Sequence, residues 1–366
     1  MSKVKTFNAL PKVLSNQIFR AAITLLALPI LSLPYSALAQ ASNQSKQYQI
    51  EDFSDDYYAT IKDYTDKQFS ELNYIIEITD AKTKKTLIAQ PSSLAMDYEL
   101  QDSASLQLGG KLSTNIVNIP YGDSSVLIYD DFNFDNKNDL ALKDGRYGCY
   151  GGPSYQVYLK KDNSFVYSEE FTELAQGNCG FFDIDYDRQT LSTMTKSGAS
   201  WHKYSTYKVI NNKPVTIRIV EEEYQAKGLL FITESTRVNG KMRVDNYQVL
   251  PVYDPKTDGK SPYIYTFHLD NEKIMVLTSY FVGDSEQLYY VFANKEGRVE
   301  LYYDGPFIYD TKQKTLSFTN KPVLYQVNKQ GITVKLPNSS KLLKSQPKSV
   351  QGSLDSLAQY TNVTVK

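Results

Sequence analysis

Residues 130–142 read DDFNFDNKNDLAL. Oxygen-bearing side chains recur at Asp131, Asn133 and Asp135, and again at Asp139. Calcium takes six to eight oxygens at ~2.3–2.6 Å from carboxylates, amides, carbonyls and water, and an alternating acidic loop brings such donors to one point. With Asp131 at position 1, Asn133, Asp135, Lys137 and Asp139 fall at positions 3, 5, 7 and 9. Lys137 would serve through its main-chain carbonyl, its ammonium turned away. Leu142 and Asn136 stand where a helix-flanked calcium loop has Glu and Gly. This is therefore a shorter loop, closed at position 9, and Asn136 suits a positive φ. Magnesium fits less well, because it keeps several waters. The competing reading is a bare solvated turn. Carboxylates ~5 Å apart repel by roughly 1 kcal/mol in water and ~3 kcal/mol at an effective dielectric of 20, which favours a counter-charge between two apolar strands.

Two later segments offer donors of another kind. YGCYGGPSY, residues 147–155, sets Tyr147, Tyr150 and Tyr155 around Gly148, Gly151 and Gly152, with Pro153 at the exit. The glycines permit positive φ or close backbone approach. Either this is a tight loop packed over the acidic loop, or it is a rigid aromatic surface, tyrosine being favoured in interfaces. KSGASWHKYSTY, residues 196–207, places a Ser197-Gly198 turn before Trp201, His202 and Lys203. Either it is an ordinary turn leading into a strand with Trp201 in the core, or its hydroxyl, amides and cations face a partner. DIDYD (183–187) reads as a strand end plus a turn, and DPKTDG (254–259) as a turn.

DFNFDNKNDLAL, YGCYGGPSYQVYL, FTEL and SGASWHKY together resemble a family of exported bacterial proteins. These are the calcium-binding periplasmic immunity proteins that inhibit lysozyme-like effectors injected by bacteria-killing type IV secretion systems. The resemblance covers roughly residues 120–215. It implies an all-β fold, a calcium site at Asp131, Asn133, Asp135 and Asp139, and a cell-wall hydrolase as partner. Cys149 lies within the Gly- and Tyr-rich pattern as a departure. The Ser-Gly turn is similar to the loop that some bacterial lysozyme inhibitors insert into the enzyme cleft. Tyr150, Ser197, Gly198, His202 and Lys203 are then the candidate partner contacts, as donors to an acidic cleft.

Catalysis by the chain itself is not expected. His202 and His268 are its two histidines, and no Gly-x-Ser-x-Gly, His-Glu-x-x-His or phosphate-loop pattern occurs. Among 41 acids nothing singles out a glycosidase pair. The leading expectation is a calcium-dependent inhibitor of a lysozyme-like hydrolase. The alternative is an exported calcium-binding adhesion or structural β module.

Residues 1–39 read as a secretory signal peptide. Lys3, Lys5, Lys12 and Arg20 precede the apolar run AAITLLALPILSLPYSALA, which ends in Ala37-Leu38-Ala39 before Gln40. Pro29 and Pro34 and the short run argue against an uncleaved spanning helix of ~20 residues. Cleavage removes four positive charges and takes the formal net charge from −1 to −5. An acidic mature chain is a poor candidate for nucleic acid or anionic membrane. The periplasm is the expected compartment, with the extracellular space as alternative. Cys149 and Cys179 are the two cysteines, and in that setting they are expected to pair. The bridge would be worth ~3–4 kcal/mol in the chain-entropy model.

The elements that must position these residues are strands. Period-two alternation begins near residue 48 and continues to the end, with 30 tyrosines in the chain. Hairpins are predicted over 72–90, 155–171 with a turn at Asp162-Asn163, and 205–224 with a turn at Asn211-Asn212. Helix is suggested at 57–70 and 352–360 alone. The pattern predicts an all-β fold of antiparallel, blade-like or sandwich-like strands. It divides into a signal peptide (1–39), a flexible leader (40–47), a calcium-binding β domain (48–225) and a second β domain (226–366), the boundary resting on a polar break at EEEYQAKG. FDIDYDRQTLS (182–192) echoes FIYDTKQKTLS (307–317) at equal spacing, suggesting two related antiparallel units.

Overall fold

Alternating side chains make every strand two-faced, so strands stack as sheets with a core between each pair. The computed structural model describes residues 47–50, 52–95, 116–119, 121, 125–225, 228–251 and 263–366. The expected signal peptide, residues 40–46 of the leader and the turn at 254–259 lie outside them. Gln47, the last residue assigned to the leader, already opens the first strand.

Five sheets follow in chain order. The first contains β1 (Gln47–Ile50), β2 (Tyr57–Asp63), β3 (Tyr74–Asp80), β4 (Thr86–Ser92) and β5 (Ile116–Ile119), in the order β4-β3-β2-β1-β5. The second is β6 (Leu127–Asp130), β7 (Asp139–Gly145), β8 (Ser154–Lys161) and β9 (Ser164–Tyr167), followed by the helix α1 (Glu169–Gln176). The third is a six-stranded meander of β10 (Asp183–Asp185), β11 (Thr190–Ser197), β12 (Trp201–Ile210), β13 (Lys213–Tyr224), β14 (Leu230–Val238) and β15 (Lys241–Val249). The fourth holds β16 (Tyr265–His268), β17 (Ile274–Val282), β18 (Ser285–Ala293) and β19 (Val299–Tyr303). The fifth holds β20 (Phe307–Asp310), β21 (Thr315–Asn320), β22 (Val323–Asn328), β23 (Gly331–Leu336) and β24 (Ser339–Lys344). The C-terminal segment returns twice: β25 (Gln351–Gly352) pairs with β16, and β26 (Val363–Val365) pairs parallel to β20.

The fold is all-β, as the alternation predicts, and each sheet interface has its own core. Ile61, Ile76 and Ile78 of the first sheet meet Leu127, Leu140 and Leu142 of the second. The other face of the second sheet packs Ala141 and Val157 against Phe171 and Leu174 of α1 and Leu191 of the third. Leu229 and Leu250 meet Val276 and Val291 of the fourth. Phe267 and Tyr290 meet Phe307 and Leu316 between the fourth and fifth. No helix among the described residues is long and apolar enough to cross a membrane.

The sequence echo is one hairpin used twice. Phe182 and Phe307 are buried, as are Leu191 and Leu316. Asp185 pairs with Thr190 and Asp310 with Thr315, and each hairpin turns through a left-handed residue, Gln189 at φ 50° and Lys314 at φ 47°.

Three expectations change. Residues 57–63 are a strand, because β1 and β3 bond both edges of β2 and Ala59 and Ile61 alternate into the core. Residues 352–360 yield only a short 3-10 turn at Leu357–Gln359. A division after residue 225 would separate β13 from β14, which are hydrogen-bonded over seven pairs in one sheet. Residues 45–366 form a single compact unit.

Candidate functional site

β7 organises the site. It is buried along its length, with Leu140 and Leu142 entering one core and Ala141 the other. A strand buried on both faces must satisfy its polar residues internally. Asp144 does so near one end: it accepts from Ser154 Oγ at 2.6 Å and from Gln176 Nε2, joining β7 to β8 and α1. Asp139 begins the strand at the other end.

The acidic loop, 131–138, enters β7 at Asp139. Its DFNFD pattern splits by side: Phe132 is fully buried against Phe181 and Phe182, and Phe134 packs on the same core. Asp131 Oδ1 and Oδ2 accept the N–H groups of Asp135 and Asn136 at 3.1 and 2.7 Å. Asn133 Oδ1 accepts from Asp135 N–H at 3.2 Å, and Asp135 Oδ1 accepts from Lys137 N–H at 3.0 Å. Phe134 and Asn136 both take φ 63°, so Asn136 adopts the left-handed backbone expected of it. Asn133 Nδ2 donates to Asn212 Oδ1 at 3.3 Å, tying the loop to the β12–β13 turn.

Asp139 is 0% exposed. Its oxygens accept from Phe132 N–H at 3.0 Å and Lys160 N–H at 2.7 Å. Burial dominates and pushes its carboxyl up to about 7; the two N–H donors oppose this, and the charges of Asp135 and Asp131 add to it. Three carboxylates and an amide with a buried member suit a hard, oxygen-seeking cation in donor type and order. Among the described residues no group of three or more His, Cys, Asp or Glu side chains is gathered as a metal cage. Here the Asp131 and Asp135 carboxylates serve backbone N–H groups, and each oxygen keeps a further lone pair for a cation.

The Tyr-rich loop follows the opposite end of β7. It therefore does not pack over the acidic loop; seven residues of strand, about 20 Å, separate the two. Gly148 N–H donates to the Gly152 carbonyl at 3.1 Å, and a Cβ at Gly148 would lie 2.7 Å from the Pro153 carbonyl oxygen. That approach requires glycine. Tyr150, at φ 55°, is turned outward and is 68% exposed.

Cys149 and Cys179 are disulfide-bonded, their Cα atoms 4.8 Å apart. Cys149 N–H donates to Asn178 O at 3.1 Å and Cys179 N–H to Met194 O at 2.8 Å. Thr195 Oγ1 donates to Asn178 Oδ1 at 2.7 Å. The loop is thus fastened to the β11 strand, and the turn after β11 comes with it. Gly198, at φ 64°, donates its N–H to Tyr150 Oη, and Lys196 Nζ lies 5.3 Å from the centre of the Tyr150 ring.

Tyr150, Ser197 and Gly198 therefore share one exposed edge, with Tyr147 beside Tyr150 in its loop. His202 and Lys203 divide. Opposite residues of a sheet share a face, so His202 joins Lys196 and Glu222, while Lys203 joins Thr195 and Glu221. The His202 ring lies parallel to Tyr204, 6.4 Å away. Trp201 is half-buried at the mouth of the turn and Tyr155 is buried in the core. Sequence reasoning misses Lys196; it stands beside Ser197 at the end of β11, and only the fold sets it over Tyr150.

No family model matches the chain, and no curated protein matches it. Among solved structures, a Xanthomonas type IV secretion system related protein superposes with a TM-score of 0.40 at 18% identity, over 56% of this chain and 94% of that one. TolB from Acinetobacter baumannii superposes with a TM-score of 0.15 at 10% identity, over 80% of this chain and 82% of that one.

Proposed function

We propose that the chain is a periplasmic protein, ordered by calcium at its acidic loop, that binds and neutralises a lysozyme-like cell-wall hydrolase. One observation carries this: two loops that are 48 residues apart in sequence meet at the Gly198–Tyr150 hydrogen bond on an exposed edge. That edge offers what an acidic glycosidase cleft accepts. Such clefts hold two carboxylates flanking the scissile bond. Against them stand the Tyr150 hydroxyl and the Lys196 ammonium, with the Ser197 hydroxyl at the same strand end on the other face. Tyr150 supplies the aromatic anchor typical of energetic hot spots.

Calcium would be held by Asp131, Asn133, Asp135, Asp139 and the Lys137 carbonyl, where it supplies the counter-charge for three carboxylates. Its effect on the partner would be indirect. β7 and β12 run from the acidic loop and its Asn212 neighbour to the two partner loops, so ordering one end pre-organises the other.

The test is a turbidity assay with the hydrolase encoded beside the gene, using exported protein in molar excess, with calcium or with chelator. Inhibition that weakens on chelation supports the proposal. Full hydrolase activity, with no complex on size exclusion, would sink it and favour the exported adhesion or structural module.

A further inference from the structure

β15 ends the third sheet. Among the described residues its one strand neighbour is β14, apart from a single bridge between Val249 and Arg298. Beyond the hairpin turn and short of that bridge, the open edge runs from Lys241 to Tyr247. It holds no proline, and Val244 at its middle is 61% exposed. Long open edges are normally shortened, bulged, covered or guarded by charges of one sign that repel a second strand; the charges here, Lys241, Arg243 and Asp245, are of both signs.

The direction of the open hydrogen bonds follows from the turn. Asn239 and Gly240 both have positive φ, at 50° and 79°, and Val238 pairs with Lys241 across them. A two-residue turn of this kind closes on a hydrogen-bonded pair, and such pairs alternate along an antiparallel ladder. Lys241, Arg243, Asp245 and Tyr247 therefore bond inward to β14. Met242, Val244 and Asn246 present N–H and C=O groups outward.

We infer that β15 pairs antiparallel with β15 of a second copy of this chain, about a two-fold axis midway between the two Val244 residues. Opposite residues of a ladder point to the same face, so a two-fold axis normal to the sheet must pass midway between the two copies of one residue. Only Val244 is the midpoint of 241–247, and only that centre pairs the whole open edge. It sets Val244 against Val244 and Met242 against Asn246. It also sets Arg243 against Asp245 twice, two ion pairs that are related by symmetry. Centring on Arg243 or Asp245 would place like charges in direct opposition, which destabilises a ladder. Asp245 is held on its face by Arg298, whose guanidinium bonds it at 3.0 and 3.3 Å and stacks on Tyr247. The carboxylate is thus already oriented on the face where the partner copy's Arg243 would arrive.

The test is the mass in solution, by light scattering across a concentration series, of protein purified after export. Wild type should show a dimer that dissociates on dilution. Val244→Pro removes only an outward N–H, a position where an edge strand accepts proline. It should give the mass of one chain while keeping a single cooperative melting transition, lowered at most by the lost dimer contact. Arg243→Asp, a surface change that sets Asp against Asp245, should do the same. A wild-type chain that is monomeric at every concentration would overturn the inference. So would a dimer that survives either substitution.

Discussion

The sharpest test of the acidic loop is the pH dependence of stability without calcium. Asp139 is fully buried, and its carboxyl is raised from an ordinary 3.8 to about 7. In that range the folded chain holds a proton that the unfolded chain has released. Stability contributed by the protonated group is therefore complete below pH 3.8 and is lost as pH rises through 7. Between pH 5 and pH 8 this one group should remove roughly 2.5 kcal/mol, taking 1.36 kcal/mol per pKa unit. Asp139→Asn cannot titrate. Its Oδ1 still accepts from Lys160 N–H, but its Nδ2 faces the Phe132 N–H, donor against donor. That costs about 1–3 kcal/mol at all pH values. The variant should thus be weaker than wild type at pH 5 and close to it at pH 8. Urea unfolding in chelator, followed by the fluorescence of the single Trp201, measures both proteins at both pH values. Parallel pH profiles for the two would refute the assignment of the penalty to Asp139. Calcium at pH 8 should stabilise wild type and leave Asp139→Asn little changed.

Asp135→Ala should abolish most of the calcium-dependent rise in melting temperature, which corresponds to roughly 2.7 kcal/mol at a hundredfold excess over Kd; an equal rise in both proteins would place the ion elsewhere. Tyr150→Ala should weaken hydrolase binding by ~2 kcal/mol or more, about thirtyfold in Kd by calorimetry, with stability unchanged. Replacing both Cys149 and Cys179 by Ala should loosen the Tyr150–Gly198 contact and raise Kd, while mass spectrometry of unreduced wild type shows no alkylated thiol. Edman sequencing of the exported protein should begin at Gln40.

What could be read in advance was local. The acidic loop, the left-handed Asn136, and the turns at Asp162 and Asn211-Asn212 each follow from a few neighbouring side chains. The short helix 169–176 also has a local sign, Phe171, Leu174 and Ala175 on one stripe after Ser168, but two turns are too short a stripe to stand out among strands. Residues 57–63 lacked such a sign, since only pairing with β1 and β3 makes them a strand. Long-range pairing also decides what no spacing encodes. The return of residues 351–352 and 363–365 to earlier sheets is one case, and the passage of the third sheet across residue 225 is another. The candidate site divides the same way. Each loop was recognisable by composition, yet their meeting at Tyr150 depends on the disulfide and on the bonds of Asn178. Likewise, the opposed faces of His202 and Lys203 follow from strand register.

β7 has a further consequence, for how this chain can change in length. Leu140, Ala141 and Leu142 alternate large, small, large between two cores. Inserting or deleting one residue there would turn every side chain to the other face. Two leucines would press into the space shaped for Ala141 beside α1, and an alanine would leave a gap among the isoleucines of the first sheet. The same step would swing Asp139 off the N–H groups of Phe132 and Lys160. One indel in seven residues would thus damage two cores and the acidic loop together. Insertions and deletions among relatives of this chain should accumulate in the loops at either end of β7, and none should fall within it.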